Sequence, residues 1–385
     1  MASTGIDLEA LSRAGIAAWQ RGDLAIARDL FEQVTSLNGA TPQHWLLLAQ
    51  ACDAVDDRPA THRALDQVLE ADPLNPFPLL MKGDLQVRDG DARAAVSFYR
   101  MAIRSSERLT QLPGDLPQRL ARAAAVVAES ERRFQRHLHQ QLASAGIASL
   151  PARLEEAIAI ASGAQPVYLQ QPTSFYYPGL PQVAWYEREL FPWLAEMEQA
   201  VPAIRAEVEA VLAKDRGLVP YVDKPESRAS RGHSLLNDAR WSAFHLWQDG
   251  EPVEANAARC PTIMNILDAA PMPRIKRRSP MALISILKPG THIEPHNGML
   301  NTRLICHIPL IVPDNCRLRV GAETRTVEQG KAMIFDDSIE HEAWNKGASA
   351  RAVLLFEIWR PELSAAEREA LTIMYEAISG YPAGD

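Results

Sequence analysis

The chain has 385 residues, 23% charged and 47% hydrophobic, an ordinary globular composition with room for two or three domains. A net charge of −8 excludes broad binding to nucleic acid or an anionic membrane, because phosphate affinity rests on clustered Lys and Arg, and the short run Arg274-Ile-Lys-Arg-Arg278 reads as a solvated loop. No apolar run approaches the roughly 18 residues that cross a bilayer, the N-terminus shows no signal-peptide pattern, and Cys52, Cys260, Cys306 and Cys316 form no CxxC pair, so a soluble cytoplasmic protein with reduced thiols is expected.

The first hundred residues repeat with a period of 34. Gly15, Ala49 and Gly83 keep it, as do Gly22, Asp56 and Gly90, then Asp23, Asp57 and Asp91, and then Phe31, Leu65 and Tyr99. A small residue, a Gly/Asp turn and a later large residue at this spacing is the tetratricopeptide pattern. The small residue lets two helices approach, the turn separates them, and the large residue fills the groove between them. About three repeats over residues 8–109 predict a short solenoid whose concave face takes a peptide or protein partner, or which serves as a helical spacer.

Residues 116–147 and 150–162 continue as helix, and His137 and His139 at i, i+2 cannot share a helical face. Composition changes near Gln165, where a segment rich in Pro, Tyr and Trp opens a new domain. A helix of about twenty residues is expected next, carrying Leu190, Leu194, Val201, Ile204, Val208 and Val211. Irregular stretches follow, including His233 in a loop and the run AFHLWQDG, and loops this long often cover a site. The organisation is therefore 1–109 repeats, 110–165 helical connector and 166–385 β-rich domain. The fold class is α+β multidomain.

From Met281 to Trp359 short strands alternate with Gly/Pro/Asn/Asp turns and no helix intervenes. Eight or so such strands predict a double-stranded β-helix, the jelly-roll or cupin-like arrangement. His296, His307, His341 and Arg351 fall among them. Three readings stand here. His296 and His341 bind a metal from separate strands; or His292, Glu294 and His296 bind it, since period-2 alternation sends all three to one side; or there is no metal. Asp336 and Asp337 read as turn residues that set the loop before His341.

The motifs PGTHIEPHNG, NTRLICHIPL, FDDSIEHEAWN and Arg351 with EIWRPEL, preceded by YPGLPQ and HLWQDG…RCP, resemble the aspartyl/asparaginyl β-hydroxylases. The resemblance covers roughly residues 170–365. It implies an iron(II)- and 2-oxoglutarate-dependent dioxygenase that uses O2 and releases succinate and CO2. It implies His296 and His341 as the metal ligands, with Gly298 where other 2-oxoglutarate oxygenases carry a carboxylate. It further implies Arg351 and Ser285 on the distal carboxylate of 2-oxoglutarate, and His307 with Arg303 beside the cofactor. Ile305 stands where some members have a basic residue. The expected reaction is β-hydroxylation of Asp or Asn in a peptide or protein, with the repeats as a candidate docking surface and with no nucleic acid and no membrane as partner. Alternatives are the same chemistry on a free amino acid or other small acid or lipid, and a non-catalytic repeat-based adaptor.

Overall fold

The computed structural model describes residues 7–147, 149–214, 217–222 and 234–381; His233 lies outside the described residues. The chain divides into two compact units, Met1–Pro166 and Val167–Asp385.

The first unit is all helix. Three hairpins pair α1 (Leu8–Arg21) with α2 (Leu24–Ser36), α3 (Pro42–Ala54) with α4 (Arg58–Ala71), and α5 (Pro76–Arg88) with α6 (Ala92–Ser106). Two further helices follow, α7 (Leu116–Ser144) and α8 (Ala152–Ser162). The period seen in the sequence is a period of backbone geometry. Gly22, Asp56 and Gly90 all turn left-handed, with φ of 83°, 56° and 83°, a conformation that glycine reaches freely and aspartate tolerates. Asp57 and Asp91 then cap the second helices by accepting the N–H of Ala60 and Ala94. A Cβ on Gly15 would stand 2.6 Å from the Phe31 ring, and one on Gly83 would run into Tyr99. The middle repeat carries Ala49 and Leu65 in these places, both fully buried. Small residues thus stand opposite rings and a methyl opposite the smaller aliphatic side chain.

The second unit begins with β1 (Trp185–Tyr186), then α9 (Leu194–Gln199) and α10 (Val201–Lys214). The single helix expected here is broken at Ala200 because Pro202 has no N–H to continue the ladder and crowds the preceding turn. Next come β2 (Val219–Pro220), β3 (Trp241–Gln248), β4 (Glu251–Pro252), α11 (Glu254–Ala257) and α12 (Pro261–Ala269). Strand β3 lies in a stretch expected to be irregular. Both its faces are covered, so its buried residues run on without the alternation that marks a half-exposed strand.

The strand-rich stretch supplies β5 (Ala282–Leu287), β6 (Thr291–His296), β7 (Arg303–Ile311), β8 (Cys316–Val320), β9 (Glu323–Thr326), β10 (Met333–Phe335), β11 (His341–Asn345) and β12 (Arg351–Trp359), before a final helix α13 (Ala365–Gly380). One sheet runs β1-β10-β7-β12-β5-β3-β2 with β4 paired to β3, and the other runs β6-β11-β8-β9. All pairs are antiparallel. The chain crosses between sheets at β5/β6, β6/β7, β7/β8, β9/β10, β10/β11 and β11/β12, which is the winding of a double-stranded β-helix.

Two cores flank the larger sheet. On its outer face Leu304, Cys306, Ile308, Leu354 and Phe356 pack with Ile204, Val208, Ile263 and Leu267 of α10 and α12. On its inner face Leu283, Leu287, Ile305 and Leu355 meet Ile293, Leu318, Val320 and Ala343 of the smaller sheet. This explains why β5 and β12 are buried almost end to end while β8 alternates. Among the described residues no helix is long and apolar enough to cross a membrane, and all four cysteines are free and buried.

Candidate active site

A cavity of about 350 Å³ opens between the two sheets, and Ser285, His296, Arg303, His307, His341 and Arg351 all line it. The fold thus brings these six residues together, while His292 and Glu294 of the trio on β6 stay outside the cavity.

That trio fails for a local reason. His341 stands opposite His296, while Ala343 stands opposite Ile293, so β6 uses one more residue than β11 over the same span. The extra residue is a β-bulge at Glu294–Pro295, and a bulge re-aims the side chain that follows it. Ile293 points inward, His292 and Glu294 are exposed, and His296 swings back to the cavity. His292 instead meets Glu342 at 2.7 Å and stacks on Trp344.

The rings of His296 and His341 lie 4.1 Å apart between centroids. Nδ1 of His296 is 2.8 Å from the carbonyl of Glu294, and Nδ1 of His341 is 3.1 Å from that of Ile339. A carbonyl only accepts, so each Nδ1 carries the proton, and Nε2 is the nitrogen whose lone pair can bind a cation. Burial, and then the facing His296, hold the His341 pKa well below the ordinary imidazole value. It is therefore neutral and ligand-ready. Among the described residues no group of three or more His, Cys, Asp or Glu is arranged around a metal, so the pair stands without a third protein donor.

Gly298, two residues after His296, shows why. A Cβ there would collide with the Asp337 carboxylate, and the Gly298 N–H donates to the Asp337 carbonyl at 2.6 Å. Asn297 Nδ2 donates to the carbonyl of Ser338 at 2.9 Å. The two histidine-bearing loops are thereby fastened to each other. The consecutive aspartates divide. Asp336 is turned away into a fully buried pair with Arg360 at 2.6 Å, as a loop-setting residue. Asp337 lies in the turn, in keeping with the turn reading, and in addition lines the cavity.

Arg351 and Ser285 share the cavity floor. Val353 pairs with Ser285 and Arg351 with Leu287, so Arg351 sits diagonally from Ser285 on the same face. Arg351 is 2% exposed, and its Nε has no hydrogen-bond partner. No carboxylate among the described residues pairs with it, and burial lowers its pKa to about 10. A desolvated guanidinium without an anion costs several kcal/mol, which an incoming carboxylate offsets through two parallel N–H donors. The Ser285 hydroxyl accepts from Trp241 Nε1 at 3.1 Å, leaving its own hydrogen to donate to such an anion. His307, pushed down to about 3 by burial and by the Arg351 cation, is neutral.

Arg303, Ile305 and His307 alternate along β7 and all face inward. Arg303 is not an open cation, however. It pairs with Glu357 and, at 3.4 Å, with Asp337. Tyr221 and Trp241, stacked with centroids 3.9 Å apart, form an aromatic wall. No local signal in the sequence marked Tyr221 or Trp241; only the fold brings them to the histidines.

A β-helix that brings two histidines presenting Nε2 and a buried arginine without a carboxylate partner among the described residues into one cavity has the makings of an enzyme site rather than of a packing domain. Residues 198–361 match the model of the family described as Aspartyl/Asparaginyl beta-hydroxylase, and this part of the chain belongs to that hydroxylase family. A human protein named aspartyl/asparaginyl beta-hydroxylase is 36% identical over 176 residues, 46% of this chain and 22% of that one. An ornithine lipid ester-linked acyl 2-hydroxylase of Rhizobium tropici is 35% identical over 196 residues, 50% of this chain and 66% of that one. The chain thus spans under a quarter of the human relative. The helical unit resembles the Sgt2 TPR domain of Aspergillus fumigatus at a TM-score of 0.29 and 20% identity, covering 32% of this chain and 82% of that one, a likeness too slight to carry weight.

Proposed function

We propose that this chain is an iron(II)- and 2-oxoglutarate-dependent hydroxylase acting on Asp or Asn side chains of a polypeptide. The observation that carries the reading is Arg351, a buried cation without a carboxylate partner among the described residues, in the same cavity as two Nε2-presenting histidines. His296 and His341 would hold the metal; Arg351 and Ser285 would receive the distal carboxylate of 2-oxoglutarate. When bound, iron(II) with 2-oxoglutarate supplies the chemistry in which one atom of O2 converts a substrate C–H to C–OH and the other enters succinate as CO2 leaves.

The chain's own residues orient and exclude. Arg351 fixes the cosubstrate by a charge-assisted fork, and Ser285, held by Trp241, donates the third hydrogen bond. His307 stays neutral beside them and adds no competing charge. Leu283, Ile293, Ile305, Phe335 and Leu355 keep the cavity walls dry, which strengthens each polar contact inside.

A polypeptide substrate is supported by the helical unit, where a groove of about 570 Å³ is lined by Trp19, Gln50, Asp53, Met81, Asp84 and Arg122 along α1, α3, α5 and α7. A second reading, hydroxylation of a lipid acyl chain, is favoured by the largely apolar lining and by the Rhizobium relative. Free buried thiols suit the cytoplasm as its compartment. Incubation with iron(II), 2-oxoglutarate and candidate polypeptides tests the reading: succinate release matched by a gain of about 16 mass units, the mass of one oxygen atom, is expected. Succinate release without any modified product from a proteome digest would contradict the polypeptide assignment.

A further inference from the structure

The charges that the described residues bring to the cavity do not suit an acidic substrate. Among the described residues, two guanidiniums line it, Arg303 and Arg351. Arg351 is assigned above to the cosubstrate. Arg303 is bracketed by Glu357 and Asp337, so that corner holds two carboxylates to one cation. Between Arg303 and His307, the inward position of β7 is Ile305, 4% exposed. The other approaches present Tyr221, Trp241, Met281 and Met299. A carboxylate entering here would lose its water against hydrocarbon and meet like charge.

One polar atom asks for a different occupant. Asp337 is 7% exposed and lines the cavity, and its Oδ1 has no hydrogen-bond partner among the described residues. A stranded acceptor is satisfied by a donor: a primary amide offers two N–H groups and a carboxylate offers none. An acyl chain would leave Oδ1 as it stands.

We infer that the side chain hydroxylated here is asparagine rather than aspartate, with Asp337 receiving the amide N–H and Ile305 denying the acid a counter-charge. The inference rests on the hydroxylase reading above and narrows its substrate.

Two pooled peptide libraries, identical except for a central Asn or Asp, test it on the full chain. Binding is read first, as retention on immobilised protein with zinc(II), which has no redox chemistry, and 2-oxoglutarate. Succinate release with iron(II) in air is read second. The Asn pool is expected to be retained about tenfold better or more and to stimulate succinate release in the same order. Ile305→Arg should narrow or invert that ratio; if this variant does not fold, the wild-type comparison decides alone. Equal or better retention of the Asp pool overturns the inference, as does retention of neither pool by protein that binds 2-oxoglutarate. Failure to bind 2-oxoglutarate at all would instead sink the hydroxylase reading.

Discussion

Arg351 and Gly298 carry the energetic tension of the site. An unpaired guanidinium at 2% exposure destabilises the ligand-free protein, and its neutral replacement relieves that cost. Arg351→Met is therefore expected to keep or raise the thermal midpoint while weakening 2-oxoglutarate binding by about 100-fold or more. Calorimetry of both quantities checks this; a loss of stability with unchanged affinity would show Arg351 to be structural. Gly298→Ala must push the Asp337 carboxylate aside and part the two histidine loops. A loss of about 1–3 kcal/mol in denaturant unfolding, accompanied by weaker metal binding, is the expected outcome. Unchanged metal affinity would mean that the loops are positioned by something else.

At the scale of elements, the repeat hairpins make a compensable prediction. Gly15→Ala forces a methyl into the Phe31 ring and should destabilise the helical unit by about 1–3 kcal/mol. Adding Phe31→Leu recreates the Ala/Leu combination of the middle repeat and should recover part of the loss in thermal unfolding. No recovery would show that the two positions do not trade volume. This much was legible because the repeat writes the same packing rule three times, in Gly15/Phe31, Ala49/Leu65 and Gly83/Tyr99. Strand β6 was only half legible. Alternation places His292, Glu294 and His296 together, and only the bulge at Glu294–Pro295 separates them. Arg303 shows the other limit. Its inward position follows from alternation with His307, but its partners Glu357 and Asp337 come from other strands and loops, so pairing between distant positions had to be seen.

On the scale of the whole molecule, the two compact units divide the labour the function requires. Every lining residue of the cavity lies in the second, whereas the repeat groove lies in the first. Removing Met1–Pro166 is expected to leave metal and 2-oxoglutarate affinity within about twofold, as an independently cored domain allows, and to lower turnover of polypeptide substrates. Equal turnover with and without the helices would make them a spacer. No turnover by either form, with ligand binding intact, would favour an adaptor.

The central claim is that the cavity binds a metal and a keto acid together. The direct measurement is anaerobic addition of iron(II) and then 2-oxoglutarate to the full chain, watching for the visible charge-transfer band of a chelated keto acid. The wild type should show the band, Arg351→Ala should need far more 2-oxoglutarate to reach it, and His341→Ala should lack it. A wild type that binds iron(II) and 2-oxoglutarate separately, or not at all, and never develops the band would contradict the account.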